Sequence, residues 1–545
     1  ASVKAVIRII TKKAAGEGFG FNNRFVTRHR RTYGWTTLDQ FNFNYRKGGF
    51  DLSGTLFGGK FRSGNNQQLG MITYLDKLWE QEIDARDGKN TESNVQGVLS
   101  LNYQFNEKHS MGVRYDMDKY FNTISDWRFK TNVYTDKELY ETNVSTMLGE
   151  YPSTKHSLNY YYNGQIGDWN IDFNADGLWN IKEETQHTRE VTNGDTEANV
   201  NTFNKNDGTL YAAKLVVSYP LWQGSLSFGG EYSHTDRSNI YINQEGILAD
   251  DDSRIKEGST GAFIDYSRSF GKVDVQAGIR YENVNFDYYE QGKHIDEQSR
   301  MFNNVFPSLN MNFPIGKAQV QLSYSGGITR PSYDMLRSNT YYSNKYTYQT
   351  GNPFLKPVIN QDINLSASYK WINFSFIYNH IKDDIIQISE PYSDTNPTIS
   401  LLNIINAKSY NNIISSVTLS PTISWWNPQF MAQVYKQWFH IDGKDGELTL
   451  SKPRMTLVWR NSFTLPAGFL FDVDGTYYTK GHIQNMYMGI NSLNVSMGLY
   501  KSFFKDRLSF QLQVTNLLEK DDVDCTIHSG IKTTTDYITN FRRIS

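Results

Sequence analysis

The chain has 545 residues, with 55 Lys and Arg against 57 Asp and Glu, so its formal net charge is only -2 and charge points to no particular partner. Aromatics reach 14% of residues, yet the hydrophobic fraction is 38% and mean hydropathy is -0.58. No apolar run approaches the roughly 18 to 20 residues of a spanning helix, low Pro and abundant aromatics argue against disorder, and the single Cys525 allows neither an internal disulfide nor a thiol metal site. Aromatics diluted by Asn, Ser, Thr and Gln read instead as an all-β outer-membrane barrel. Each of its strands shows one apolar face to lipid and one polar face to a wet lumen.

Taken in chain order, alternation begins with Phe41, Phe43 and Tyr45 around Asn42 and Asn44. It recurs in Trp169, Ile171, Phe173 and Ala175, in Leu493, Val495, Met497 and Leu499, and in Leu508 to Val514. This is the period of a strand with two unlike faces. Connections come in two lengths. Short ones fall at Arg46–Gly49, Asn106–Lys108, Ile166–Asp168, Trp222–Gly224, Phe270–Lys272, Pro314–Lys317, Trp371–Asn373, Trp426–Pro428, Pro466–Gly468 and Phe504–Asp506. Long polar stretches lie at Glu183–Asp207, Thr235–Glu257, Pro331–Asn360 and Lys520–Thr539. Tight periplasmic turns and extended outer loops explain that sorting. A first strand near Phe19–Arg31, ten short turns and one closing strand predict about 22 antiparallel strands, with Gly58–Glu82 taken as one long ascending arm. Trp169, Trp222, Phe270, Trp371, Trp425, Trp426, Phe503 and Phe504 cluster at short turns, as a periplasmic aromatic girdle would.

Three segments resemble the TonB-dependent receptor superfamily, in particular the barrel branch abundant in Bacteroidota. Ala5 to Lys13 is similar to the end of that family's plug domain, though Arg8 stands where Asn is commoner. Thr329-Arg330-Pro331-Ser332-Tyr333 followed by Gly351-Asn352-Pro353-Phe354-Leu355-Lys356-Pro357 resembles a mid-barrel loop, with Val358 in place of a usual Glu. Val514-Thr515-Asn516-Leu517-Leu518 resembles a penultimate-strand motif. The resemblance implies residues 1–16 as plug end and linker and residues 17–545 as barrel. It also implies an upstream plug and TonB box that this sequence does not include. Asn540 to Ser545 reads as the start of a closing strand that is cut short, and Ala1-Ser2-Val3-Lys4 is not a secretory signal, so the sequence is expected to be part of a longer protein. Physically, Gly351, Pro353 and Pro357 suit a rigid turn before a strand, so Arg330, Pro331, Asn352, Leu355 and Lys356 are expected to shape a loop.

No enzyme signature emerges: the ten His residues are scattered, without zinc-protease spacing, and there is no phosphate loop or nucleophile elbow. His156 and His440 read as ordinary lumen or surface residues. Asp250-Asp251-Asp252 and Asp442 to Glu447 carry hard oxygen donors but match no EF-hand, and read as solvated loops. No cofactor is expected. The candidate contacts for a ligand or partner are Tyr333, Arg337, Tyr341, Tyr342, Tyr346 and Tyr348, since Tyr offers area and a hydroxyl at low entropic cost; the alternative is that they extend strands and touch lipopolysaccharide. Intermingled charge gives no nucleic-acid surface.

The resemblance implies an importer of a bulky nutrient such as a glycan, peptide, siderophore or cobalamin-like compound. It would be driven by TonB, ExbB and ExbD if a plug carries a TonB box, with outer-membrane lipid and lipopolysaccharide around it. A surface lipoprotein lid is a further possible partner. The competing expectation is a non-transporting scaffold barrel in an outer-membrane assembly or secretion complex. An outer-membrane lipase or protease is a third, but usually has a smaller barrel and a recognisable Ser/His set.

Overall fold

The computed structural model describes residues 16–30, 34–443, 446–504, 508–515, 517–518, 522–529 and 533–540. The N-terminal half of the wall consists of β1 (Gly18–Arg30), β2 (Gly34–Lys47), β3 (Phe50–Tyr74), β4 (Leu78–Asn106), β5 (His109–Thr135), β6 (Glu138–Glu150), β7 (Ser153–Ile166), β8 (Trp169–Thr192), β9 (Thr196–Leu221), β10 (Gly224–Asn243), β11 (Asp251–Phe270) and β12 (Val273–Glu290), with β13 (Lys293–His294) folded back on β12. The other half contains β14 (Arg300–Ile315), β15 (Ala318–Thr329), β16 (Thr340–Asn344), β17 (Thr347–Thr350), β18 (Val358–Tyr369), β19 (Ile372–Lys382), β20 (Ile385–Pro391), β21 (Ser400–Asn406), β22 (Tyr410–Leu419), β23 (Trp426–Gly443), β24 (Gly446–Leu450) and β25 (Arg454–Leu465). It ends with β26 (Phe469–Tyr478), β27 (Gly481–Ile483), β28 (Met486–Met488), β29 (Ser492–Phe503), β30 (Leu508–Val514), β31 (Asp522–His528) and β32 (Thr533–Asn540).

These strands form a 28-stranded antiparallel barrel sheet and a separate four-stranded sheet of β16, β17, β20 and β21. β6 and β7 are one crossing interrupted at Tyr151-Pro152, where Pro152 cannot donate to the ladder. Counting them once, and leaving aside the outer pieces β13, β24, β27, β28, β31 and β32, gives twenty-one crossings from β1 to β30. That is the number expected before a closing strand. Of the expected closing stretch Asn540–Ser545, Asn540 ends β32, paired with Asp522, and residues 541–545 lie outside the described residues, as do the plug-like residues 1–15. At the outer rim the two ends of the sheet meet, because β32 pairs with the upper arm of β3, Gln68 opposite Ile538 and Thr73 opposite Thr533.

The polar faces meet in the lumen and the apolar ones point to lipid. Along β4, Leu99, Leu101, Tyr103 and Phe105 are exposed on one face, while Asn102 on the other accepts a hydrogen bond from Tyr161 at 3.0 Å. Aromatics at the periplasmic turns stand out from the wall: Trp222 and Phe504 are each 75% exposed, and Trp169, Phe270, Trp371 and Trp425 are also exposed. Apolar rings at that level belong to the membrane interface.

Several expectations need correction. Glu183–Asp207 is not a loop: β8 and β9 pair through it to the turn at Asn193–Asp195. Thr235–Glu257 is likewise mostly ladder, leaving only residues 244–250 outside strands. Above the membrane the inner face of these strands buries polar residues such as Thr188, Glu190, Thr202 and Asn204 among a few apolar ones such as Val200 and Tyr241, so the regular apolar period that reveals a strand is lost. Within Gly58–Glu82 the ascending arm ends at Tyr74, and Leu78 already begins the descending strand. The turn expected at Trp426–Pro428 lies at 420–425, and Pro428 sits near the start of β23, a position where its missing donor is tolerated.

Candidate functional site

A barrel crossing needs about 9 to 11 residues, whereas β3, β4, β5, β8 and β9 have 25, 29, 27, 24 and 26. They rise well above the membrane as a tall wall. β15, β18, β19 and β22 have only 12, 12, 11 and 10. From the tops of these short strands come two long segments, one joining β15 to β18 and one joining β19 to β22, and each contributes a hairpin to the four-stranded sheet. β17 pairs in parallel with β21, Tyr348 opposite Leu401, so the two segments form one unit. This sheet lies inside the mouth against the inner face of the tall wall, where Val133, Val200, Tyr241, Val284 and Tyr288 are almost fully buried.

The sequence-derived residues are distributed through this unit. Tyr342 packs with Val200, Leu248 and Tyr348, and Tyr346 packs with Trp79 and Val133. Their hydroxyls go to carboxylates on the wall: Tyr342 Oη donates to Glu190 at 2.9 Å and Tyr346 Oη to Glu141 at 2.7 Å. Lys345 Nζ joins Glu141 at 3.1 Å. Burial pushes the Glu190 carboxyl above its ordinary range, against the opposing pull of the Tyr342 and Lys345 hydrogen bonds. Burial and the nearby carboxylate likewise push Tyr342 and Tyr346 up, so both remain donors. Tyr333 is raised to about 12, chiefly by burial and then by Glu257. Tyr342, Tyr346 and Tyr348 therefore face the barrel interior rather than the surrounding lipid.

The remaining two stand differently. The Arg337 guanidinium stacks on Tyr341 at 3.6 Å from the ring centroid, and its Nε is buried without a hydrogen-bond partner. With Tyr342, Glu184, Gln186 and Gln349 they form the polar side of a cavity of about 350 Å³. Its other side is apolar, made by Leu69, Ile83, Phe129 and Met147.

The motif residues join the two segments to each other and to the wall. A Cβ at Gly351 would stand 2.6 Å from the Arg337 carbonyl and 2.7 Å from that of Met335. Asn352 Nδ2 donates to the Ile404 carbonyl at 2.9 Å, and the Lys356 amide donates to Asn406 Oδ1 at 2.8 Å. Arg300 donates to the carbonyls of Pro353 and Phe354. Leu355, 1% exposed, packs with Ile255, Phe286, Tyr288 and Leu336. Pro353 and Pro357 are buried beside it, and Lys356 is exposed. Arg330, just past the end of β15, pairs with Glu282 of β12, which also pairs with Arg280, and Arg280 pairs with Glu231 of β10, so the charges link alternate strands across the lumen face. Pro331 follows directly, outside the strand.

Sequence reasoning missed the β19–β22 segment as a partner. Its signal was present in Ile385-Ile386-Gln387-Ile388 and Leu401-Leu402-Asn403-Ile404-Ile405, two short apolar runs inside an outer loop. Among the described residues no group of three or more His, Cys, Asp or Glu side chains could hold a metal ion. The acidic runs are engaged otherwise: Asp250 accepts from the Asn243 amide, Asp251 from Ser253, and Asp442 and Glu447 lie beside Lys408. His156 bonds Tyr115 Oη at 2.7 Å and His440 bonds Thr449 at 3.1 Å.

A curved antiparallel wall of twenty-one crossings, with rings at the lower rim and polar groups inside, defines an outer-membrane β-barrel protein. The chain belongs to the outer membrane protein beta-barrel family, whose model matches residues 167–545. The fold is that of large TonB-dependent receptor barrels. A mutant ferric enterobactin receptor, PfeA of Pseudomonas aeruginosa, in complex with enterobactin, matches 97% of this chain and 82% of its own, at 12% identity and TM-score 0.58. The siderophore receptor PirA of the same organism matches 97% and 81%, at 12% identity and TM-score 0.55. The FrpB iron transporter of Neisseria meningitidis matches 97% and 82%, at 13% identity and TM-score 0.55. Among curated proteins none matches the chain by sequence.

Proposed function

We propose that this protein is a TonB-dependent outer-membrane transporter that captures a bulky solute beneath the β16–β17–β21–β20 sheet and passes it through the barrel. The observation that carries this reading is the amphipathic cavity between that sheet and the tall wall. Arg337, Tyr341 and Gln349 offer charge and hydrogen bonds to one side of a solute, while Phe129, Met147 and Leu69 offer apolar area to the other. Such a convergence of a few polar groups in an apolar concavity is the usual form of a small-molecule site. The likeness to siderophore receptors over nearly the whole chain supports the same reading at the level of fold. TonB, ExbB and ExbD would supply energy through a plug, a surface lipoprotein could cover the mouth, and the protein itself would perform no covalent chemistry.

The test is a fluorescence titration of the purified full-length protein with ferric catecholates, cobalamins, peptides and oligosaccharides, alongside uptake in cells with and without TonB. Saturable binding to one class, weakened about tenfold or more by Arg337→Ala or Tyr341→Ala, is expected. No saturable binding and no TonB-dependent uptake would replace this reading with that of a scaffold barrel.

A further inference from the structure

The capture cavity holds an unbalanced charge. Of the described residues that line it, Arg337 is the one base and Glu184 the one acid. Among the described residues no carboxylate oxygen lies within 4.0 Å of the Arg337 guanidinium, and its Nε lacks even a neutral partner. The neighbouring carboxylates are engaged elsewhere. Asp334, three residues earlier in the chain, pairs with Arg237, and Glu190 accepts from Tyr342 Oη and the Lys345 amide. Glu184 stands opposite Asn204 in the β8–β9 ladder. Burial holds its carboxyl above the ordinary range despite the opposing pull of Lys182 and Arg337, which weakens it as a counter-charge. A guanidinium keeps its proton throughout the physiological range, so the cavity is left with a cation.

That cation is held by packing. The close approach of Gly351 fixes the Arg337 backbone, and the guanidinium rests on a ring that is itself braced. Tyr341 stands opposite Gln349 in the β16–β17 hairpin, and its ring centroid is 4.6 Å from that of Tyr241 on the wall. An aromatic face stabilises a guanidinium but uses none of the in-plane hydrogen bonds it can donate. A planar pair of acceptor oxygens uses those donors together, which makes a carboxylate the fitting partner. A phosphate monoester would bring a second negative charge close to Glu184 and Glu190, with one base to hold both. Across the cavity, Leu69, Ile83, Phe129 and Met147 leave apolar area to be covered. At about 350 Å³ the cavity stands at the low end for small-molecule sites, so it holds one end of a bulky solute.

We propose that the solute end seated here is an apolar monocarboxylate, its carboxylate held by the Arg337 guanidinium and its apolar body laid on Phe129 and Met147. A peptide ending in a free apolar residue presents that chemistry, and so does a simple aryl or alkyl carboxylic acid. This deepens the import reading above and rests on it.

The experiment is isothermal titration calorimetry of purified full-length protein with two matched pairs of probes. One pair is N-acetyl-leucyl-phenylalanine and its C-terminal amide, and the other is phenylbutyrate and phenylbutyramide. In at least one pair the acid is expected to bind about tenfold more tightly than the amide, because charge-assisted hydrogen bonds are the stronger kind. The pair that shows it tells a peptide source from a simple acid. Arg337→Gln should bring acid and amide to equal affinity, while Phe129→Ala weakens both and leaves their ratio unchanged. Heat-shifted gel mobility first establishes that each barrel is folded. Arg337→Lys replaces Arg337→Gln if that variant is not, and by losing the planar fork it should lower the ratio about threefold. Equal binding of acid and amide by the unmodified protein, or a preference that survives the change at Arg337, overturns the carboxylate and leaves import standing. So does the absence of binding in both pairs when another class of solute is bound saturably or taken up with TonB. No saturable binding and no TonB-dependent uptake of any class overturns both.

Discussion

The tall wall of β3 to β12 and the short wall of β14 to β22 start from the same periplasmic turns and end very differently. In the first, the chain continues as ladder past the membrane and reverses in tight hairpins, such as Asp136-Lys137 with φ of 50° and 72°. In the second, the ladder stops early, and residues 330–357 and 383–409 fold inward before the next barrel strand begins. The tall wall is thus a continuous surface, and the short wall supplies the segments that pack against it. The inner sheet owes its position to both, since it hangs from one and rests on the other.

That contrast can be broken by mutation. The largest effect is expected for Leu355→Ala, which removes a buried side chain from the cluster joining the inner unit to β11 and β12. It should cost about 2–5 kcal/mol of docking, read as faster hydrogen exchange across residues 330–357 with β8 and β9 unchanged; equal loosening of both would mean that the two regions are one cooperative body. Next, Gly351→Ala forces a methyl against two carbonyls and should cost about 1–3 kcal/mol, seen in the same exchange profile. Tyr342→Phe deprives buried Glu190 of a donor at 2.9 Å, at about 1–3 kcal/mol, and protease sensitivity near Lys345 should rise.

The pH effect is gentler. Glu184 and Glu190 are both raised by burial, so the docked unit holds their protons more tightly than the released one. Docking gains stability as pH falls through the raised values and has gained it fully below the ordinary carboxylate range; as pH rises again that gain is lost. Protection of residues 340–350, taken relative to the intrinsic exchange rate at each pH, should be greater at pH 5 than at pH 8, and the reverse order would contradict the assignment. The smallest effect belongs to the tall wall. Lys137→Gly at a left-handed position should raise thermal stability by about 1 kcal/mol or less, a gain that vanishes if the hairpin tip is not a tight turn.

Legibility in the sequence followed the solvent. Where one face meets lipid, as at Leu508 to Val514 or Trp169 to Ala175, alternation was plain and the strands stand where it placed them. Where the buried face is itself mostly polar, as at Glu183 to Asp207 with Thr188, Glu190, Thr202 and Asn204, the same backbone carried no apolar period and read as loop. Tyr333 to Tyr348 drew notice by composition alone. That Tyr342 and Tyr346 would meet Glu190 and Glu141 could not be read, because those partners lie more than 150 residues away. Asn427-Pro428 shows the opposite fault, a turn-like dipeptide that lies within a strand.

The pairing of Gln68 with Ile538 also bears on assembly. Strands so remote in sequence can meet only after nearly the whole polypeptide has been delivered, and such distant contacts are slow to form. Until then the upper arm of β3 offers bare amides and carbonyls to any strand nearby. The β31–β32 hairpin is in this sense a clasp fastened last, and the time before it fastens is when the nascent sheet is most open to chaperones or to mispairing.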